Sequence, residues 1–416
     1  MKPWLHRTIL TAALTWVLAV AARAQVTLPV EMTDFLDRVD NALTYESADG
    51  QFFAHLTGET DLTGYYFDGQ PFGLIFSNPN DHFMFSPRLT LNFDATYGER
   101  LLFFAKFRWD DGIDPGYQND SARMDEIFLR VAVVPHHLDL QAGKFATVFG
   151  TWAGRHGAWD CPFITAPLVY DQVTSVLDGF VPPSATFFAS LRNAPDNNYT
   201  WAPVIWGPDY LPGVAAFATL GKFDLALSGT TQSLSSRPTT WNDLNFNRPS
   251  FNGRLGWRAD EAWTLGVSGS IGPYLLSQAA ASLPPGQSLS DYDQITVGGD
   301  ASWAWHDWQV TGEFIFSRFQ VANVGNADTF SWYLETKYKI TPQLFAAVRW
   351  NQQVYNQVNT PTGPQNWDND EMRADFALGY KWDTHVLTKI QYSWQHQETS
   401  FQNGKQLVAV QLVVRF

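Results

Sequence analysis

The sequence predicts an all-β fold, a transmembrane antiparallel up-and-down β-barrel of about sixteen strands with one long loop folded inward. Three patterns predict it. Apolar and polar side chains alternate along most of the chain, short and long connections take turns between the alternating stretches, and aromatic residues collect at their ends. Alternation with period two puts the two sets on opposite faces of a strand, which suits a wall with lipid on one side and water on the other. Composition agrees. Charged residues are 16% of the chain, against about 25% in ordinary soluble domains. After residue 24 no apolar run approaches the roughly 18 residues of a membrane helix.

Residues 1–24 read as a signal peptide: a basic start at Lys2 and Arg7, an apolar run from Ile9 to Ala22, and a small-residue end at Ala22-Arg23-Ala24, with cleavage expected before Gln25. Losing Lys2, Arg7 and Arg23 takes the net charge from -14 to about -17. So acidic a chain is a poor partner for nucleic acid. Cys161 is the sole cysteine, which excludes an internal disulfide and a cysteine-based metal site. Residues 25–50 form a segment before the barrel. Phe35, Leu36, Val39, Ala42 and Leu43 follow helical spacing after Thr33, a candidate N-cap, and fit a short periplasmic helix or a plug at the mouth.

The barrel occupies 51–416. Strands are expected near 52–66, 86–97, 100–110, 123–134, 138–149, 213–220, 222–231, 250–258, 262–271, 293–305, 308–319, 329–340, 343–354, 372–382, 385–396 and 406–416. In the twelfth, Phe330, Trp332, Leu334, Tyr338 and Ile340 oppose Ser331, Glu335, Lys337 and Lys339. In the last, Val408, Val410, Leu412, Val414 and Phe416 share one face. Short turns fall at sites such as Tyr97-Gly98-Glu99, His136-His137 and His306-Asp307, with longer connections between them without exception. A further strand near Ala166 to Leu177 would raise the count to eighteen. Trp257, Trp263, Trp305, Trp308, Trp382 and Phe416 sit beside short turns, and Trp332 sits toward a long loop. Two such belts are what the interfaces of a bilayer favour.

With its signal peptide, sixteen strands, one oversized loop and terminal Phe416, the chain resembles the Gram-negative outer-membrane porin superfamily. The stretch Leu138 to Gly150, "LDLQAGKFATVFG", is similar to the strand before the constriction loop in porins of the phosphate-selective or carbohydrate type. The resemblance implies an outer-membrane location among lipid and lipopolysaccharide, a homotrimer, recognition by the barrel-assembly machinery through the strand ending at Phe416, and passive diffusion of small hydrophilic solutes. The basic constriction of phosphate-selective porins is not matched, because the segment from Thr151 to Pro212 has Arg155 and Arg192 against Asp160, Asp171, Asp178, Asp196 and Asp209. A substrate-specific sugar or anion channel and a non-conducting adhesion or scaffold barrel stay as alternatives.

Parity places Arg88, Lys106, Arg108, Arg130, Lys337, Arg349 and Arg373 on the lumen side, with the first four as a basic cluster on neighbouring strands. Opposing carboxylates are expected from the inserted loop at 150–212, giving a transverse field that orients solutes. Lys144 breaks the parity of its strand, so either a bulge turns it inward or it snorkels at the outer rim. In the loop, Arg155, Asp160, Asp171 and Asp178 are the candidate constriction charges. Trp152, Trp159 and the other loop aromatics either pack the loop or form a track for sugars. No nucleophile elbow, phosphate-binding glycine loop or zinc motif is present, so neither catalysis nor a cofactor is expected.

Overall fold

The computed structural model describes residues 30–69, 73–74, 82–110, 122–194, 200–237, 246–398 and 405–416. Its wall has sixteen strands: β1 (Phe52–Phe67), β2 (Phe83–Tyr97), β3 (Leu101–Asp110), β4 (Ala122–Val134), β5 (Leu138–Phe145), β6 (Leu211–Leu220), β7 (Phe223–Thr230), β8 (Ser250–Arg258), β9 (Trp263–Pro273), β10 (Asp293–Trp305), β11 (Trp308–Val321), β12 (Gly325–Lys339), β13 (Leu344–Tyr355), β14 (Glu371–Lys381), β15 (Val386–Gln397) and β16 (Gln406–Arg415). Each pairs antiparallel with the next, and β1 also pairs with β16 from Glu59↔Arg415 to Phe67↔Leu407. The sheet therefore closes on itself and its wall has no free edge.

Burial follows the alternation that selects these strands. On β16, Leu407, Ala409 and Val413 are buried inside while Val410 is 53% exposed on the outer face. Val214, Val267, Phe314, Leu334 and Phe376 continue that apolar outer face around the barrel. Gly98 and Gly221 enter the left-handed region in short turns, at φ 57° and 63°, and His136 and His306 hold the same region at 66° and 53°. Among the described residues no helix is long and apolar enough to cross a membrane.

Several expectations change. The stretch 166–177 adds no wall strand: it forms the helix Leu168–Asp171 and a strand, Val173–Leu177, that pairs with Trp201–Pro203 within the inserted segment. The alternation of short and long connections has an exception between β11 and β12, which meet across Ala322, Asn323 and Val324. Asn323 takes φ 62° there, a conformation asparagine tolerates better than most residues. Both strands run further than expected because Phe319, Val321 and Ala327 are drawn into a buried cluster at the long-loop end. In that cluster Phe188 of the inserted segment stacks on Trp367 of another connection, with ring centres 5.5 Å apart.

Ahead of the wall lies α1 (Val30–Ala42), followed by a short strand, Thr44–Glu46, that pairs with Phe53 to His55 of β1. Thr33 is inside the helix rather than its cap, and its hydroxyl donates to Asp383 Oδ2 at 2.7 Å. The signal-peptide residues fall outside the described residues.

Candidate functional site

The described residues of the segment between β5 and β6, 146–194 and 200–210, lie inside the barrel against one half of the wall. Main-chain groups buried this way need partners, and inward-facing side chains of β11 to β15 supply them. Lys389 donates to the carbonyls of Ala158 at 2.7 Å and Cys161 at 3.0 Å. Arg349 donates to the carbonyls of Thr165 at 2.8 Å and Ala166 at 3.2 Å, and pairs with Asp375 at 2.8 Å. Arg373 reaches the Ala166 carbonyl as well as Asp171 at 3.1 Å. Gln391 accepts from Ile164 N at 2.5 Å. Glu313 accepts from Tyr170 Oη at 2.6 Å and Thr151 Oγ1 at 2.8 Å, while Arg155 pairs with Glu335 and donates to Tyr333 Oη at 2.9 Å.

In the other half three cations, Arg88, Lys106 and Arg108, keep part of their side-chain surface exposed, while Asp61, Asp110, Arg123, Asp125 and Glu126 beside them are buried. Arg88 lies 3.3 Å from Asp110 and 3.9 Å from Asp61. Arg108 bridges Asp110 at 3.2 Å and Asp125 at 3.0 Å, and Arg123 grips the same two carboxylates at 2.7 and 3.1 Å. Lys106 pairs with Glu126 at 2.6 Å and sits 5.6 Å from the centre of the Tyr210 ring. Four cations thus face four carboxylates in one connected strip across β1 to β4. Beside it a cavity of about 150 Å³ runs past Asp61, Arg88, Arg108, Trp152, Tyr210 and Gln411. A second, of about 320 Å³, is lined by Arg155, Asp160, Thr264, Gln309, Glu335 and Lys337. Arg254 and Asp300 form a two-pronged pair on β8 and β10, with contacts of 3.0 and 2.6 Å.

Two features expected of the lumen differ in the structure. The carboxylates facing the basic cluster come from the wall, Asp61 on β1, Asp110 on β3, and Asp125 and Glu126 on β4, rather than from the inserted segment. Charges that alternate along one wall cancel locally, so the transverse field is not built here. Nor do most of the described loop rings form an aromatic track: Trp152, Phe163, Tyr170, Trp201, Trp206 and Tyr210 are buried, and Trp152 packs on Tyr170 with centres 4.6 Å apart, while Trp159 is half-buried and the exposed Phe180 and Phe187 pack edge to face on each other. The buried rings cover the segment's own apolar surface, and stacking on a solute would need a free face.

The remaining candidates fall in distinct places. Arg349 and Arg373 point inward, but their side chains are 0% exposed. Lys337 lies over the Phe345 ring at 4.7 Å. Arg130 is held by Gln141 at 2.6 Å and the Phe217 ring at 4.7 Å. Lys144 is buried and donates to the Met124 carbonyl at 2.9 Å, beside Gly143, whose φ of 142° departs from a regular strand. A local irregularity, not snorkelling, accounts for its broken parity. Asp178 is buried 3.9 Å from Arg237, Asp160 is exposed, and Trp159 lies beneath the Arg415 guanidinium at 3.8 Å. Of the girdle residues, Trp257, Trp263, Trp305 and Trp308 are exposed on the outer face, while Trp332, Trp382 and Phe416 are half-buried.

Sequence reasoning missed Arg123 and Asp125. The register between β3 and β4 shifts at Lys106 and Phe107, leaving Asp125 as the extra residue. One inserted residue brings Arg123 to the parity of Glu126, and no spacing rule reveals that in advance.

No protein-family model matches the sequence, and no curated protein does. Solved structures match over most of their length. The outer-membrane channel DcaP of Acinetobacter baumannii is 14% identical with a TM-score of 0.56, covering 89% of this chain and 99% of that one. The anion-selective porin from Comamonas acidovorans is 10% identical with a TM-score of 0.53, covering 88% and 99%. The trimer form of OmpT, an outer-membrane protein of Vibrio cholerae, is 9% identical with a TM-score of 0.52, covering 88% and 100%. At such identities the likeness is one of fold: the chain has the closed sixteen-stranded architecture of the outer-membrane porins.

Proposed function

We propose that the chain is an outer-membrane porin, a passive diffusion channel whose water path runs along β1 to β4 and favours small uncharged hydrophilic solutes over either sign of ion. The observation that carries this reading is the strip in which Arg88, Lys106, Arg108 and Arg123 are each matched by a carboxylate. A wall balanced residue by residue keeps the passage wet and leaves little net potential to select ions. Anion or phosphate selectivity along this strip would require cations unmatched there, whereas each of its four has a carboxylate within 4 Å.

Single-channel recording of the folded protein in a planar bilayer tests it, with a salt gradient for the reversal potential and sugar uptake into liposomes as the second readout. Stable steps with a reversal potential near zero are expected. Folded protein without steps would instead support the non-conducting barrel.

A homotrimer is part of this reading, and β4 to β7 are the surface we assign to it. These four strands carry no Trp or Tyr, so the aromatic girdle has a gap there. A trough of about 700 Å³ lined by residues such as Leu140, Ala142, Ala216, Leu227 and Gly229 opens on that face. Small residues let walls approach closely within a membrane. Ala216→Trp is expected to release monomers on gel filtration in mild detergent, and an unchanged oligomer would exclude this face.

A further inference from the structure

Where β1 meets β16, the short-turn rim carries a construction that plays no part in the water path. Helix α1 lies over this seam and is tied to both sides of it. On the β1 side, Asp40 Oδ1 is 3.0 Å from His55 Nε2. On the other, Thr33 Oγ1 donates to Asp383 at 2.7 Å, and Asp37 Oδ1 is 2.9 Å from His385 Nε2. The second ring nitrogen of His385, Nδ1, is 2.9 Å from the carbonyl oxygen of Arg415.

We propose that residues 30–46 form a clasp across the barrel seam, fastened by protonated His385, that loosens as the medium turns from mildly acidic to mildly alkaline.

The hydrogen bonds argue this directly. Both nitrogens of His385 face acceptors, and a neutral imidazole carries only one N–H. Only the protonated ring can donate to Asp37 and to Arg415 together. The charged groups around it are Asp37 from α1, Asp383 from its own turn and Arg415 from β16. The Arg415 guanidinium is turned away, with Nε donating to the Thr384 carbonyl at 2.9 Å and the group resting on the Trp159 ring. Around His55 stand Asp40 of α1 and Asp94, its register partner on β2. Both rings thus face carboxylates across the joint. Burial pulls the His385 value down, but its bonds to Asp37 and Arg415 and the charges of Asp37 and Asp383 outweigh that and leave it above the ordinary value. A group raised by folding stabilises fully below its unfolded value, about 6.5, and that contribution is lost as pH rises through the folded value.

A nitroxide on α1 tests the clasp in the full chain, placed by Phe35→Cys in a Cys161→Ser background. Phe35 is 55% exposed, so the label disturbs no packing. The label's mobile fraction is expected to be low near pH 5.5 and to grow above about pH 6.5, with the opening constant rising by up to about tenfold per pH unit for each proton released. His385→Gln and Asp37→Asn are each expected to abolish that response. Equal mobility at pH 5.5 and 8, or a response that survives His385→Gln, would overturn the proposal, as would a label already mobile at the acid end. None of the four substitutions falls on the charged strip of β1 to β4, so conductance of the same proteins tests the channel reading separately.

Discussion

Two halves of the same wall use the same residue types for different ends. Along β11 to β15, Arg349, Arg373, Asp375 and Lys389 are sealed under the inserted segment and act as its anchors. Across β1 to β4, Arg88, Lys106 and Arg108 keep 22%, 18% and 13% of their side-chain surface. Parity gives both sets the same inward face. What separates them is whether a second layer of chain lies on top, and that decides whether a charge holds the fold together or meets a solute.

The sharpest way to break this contrast is to remove a charge from the sealed half. Asp375→Ala removes the carboxylate shared by Arg349 and Arg373, both 0% exposed, leaving Asp171 as the carboxylate of Arg373 at 3.1 Å and Glu335 3.9 Å from Arg349; losing one partner of a buried pair costs about 3 to 5 kcal/mol. Urea unfolding in micelles should show that loss, and single channels should become noisier as the segment detaches. A loss below about 1 kcal/mol, the ordinary worth of a surface pair, would mean the half is not sealed.

Gly143→Ala probes the root of the inserted segment, where the two halves meet. At φ 142° a Cβ there would collide with the Ile127 carbonyl oxygen and the Phe128 Cα, so strain and overpacking should cost about 2 kcal/mol in the same unfolding assay.

In the open half the outcome reverses. Lys106→Gln is expected to cost about 1.5 kcal/mol, the low end for a hydrogen bond to a charged group, because the pair keeps 18% and 12% of its side-chain surface and glutamine can still donate to Glu126. It leaves the charge of Glu126 unmatched, so the reversal potential should move toward cations, by about a two- to threefold permeability ratio for a change near one kT in local potential. Asp375→Asn should not move it.

The smallest effect lies outside both halves, at the rim. Burial raises the Asp383 value, but the Thr33 hydroxyl and the amides of His385 and Val386 outweigh that and hold it below the ordinary carboxylate range. A lowered carboxyl contributes above its unfolded value, about 4, and loses that contribution as pH falls. Below about pH 4 the hold on α1 should weaken again, by a few tenths of a kcal/mol after solvent screening, visible as renewed mobility of the nitroxide on α1.

All sixteen wall strands were legible in the sequence because a lipid-facing strand must alternate, and alternation survives in a single chain. The turn at Ala322 to Val324 was not, since the residues after Phe319, Val321 and Ala327 among them, read as a longer connection until the cluster that buries them is seen. The site was legible by face only. Arg88 and Arg349 look alike in sequence, and nothing in their spacing says that Thr165 and Ala166 will cover one of them. Asp125 was hidden by a single-residue register shift, and the loop aromatics were ambiguous because core packing and solute stacking call for the same rings.

The seam itself has a consequence for how the chain comes to be folded. Gln411 Nε2 donates to Asp61 Oδ1 at 3.1 Å across 350 positions of sequence, and the main chains of Gly58 and Phe416 exchange hydrogen bonds at 3.0 and 2.9 Å. All fifteen other wall pairings join sequence neighbours and can form in series, like a hem sewn one stitch at a time. The last one must bring together the two most distant strands, and until it does, both stay exposed as unpaired edges. Closing so long a loop adds little to the equilibrium cost but makes the step slow and open to pairing with other chains. The rate-limiting event in assembling this barrel should therefore be the joining of β1 to β16, with a nearly complete but open sheet as the species that accumulates before it.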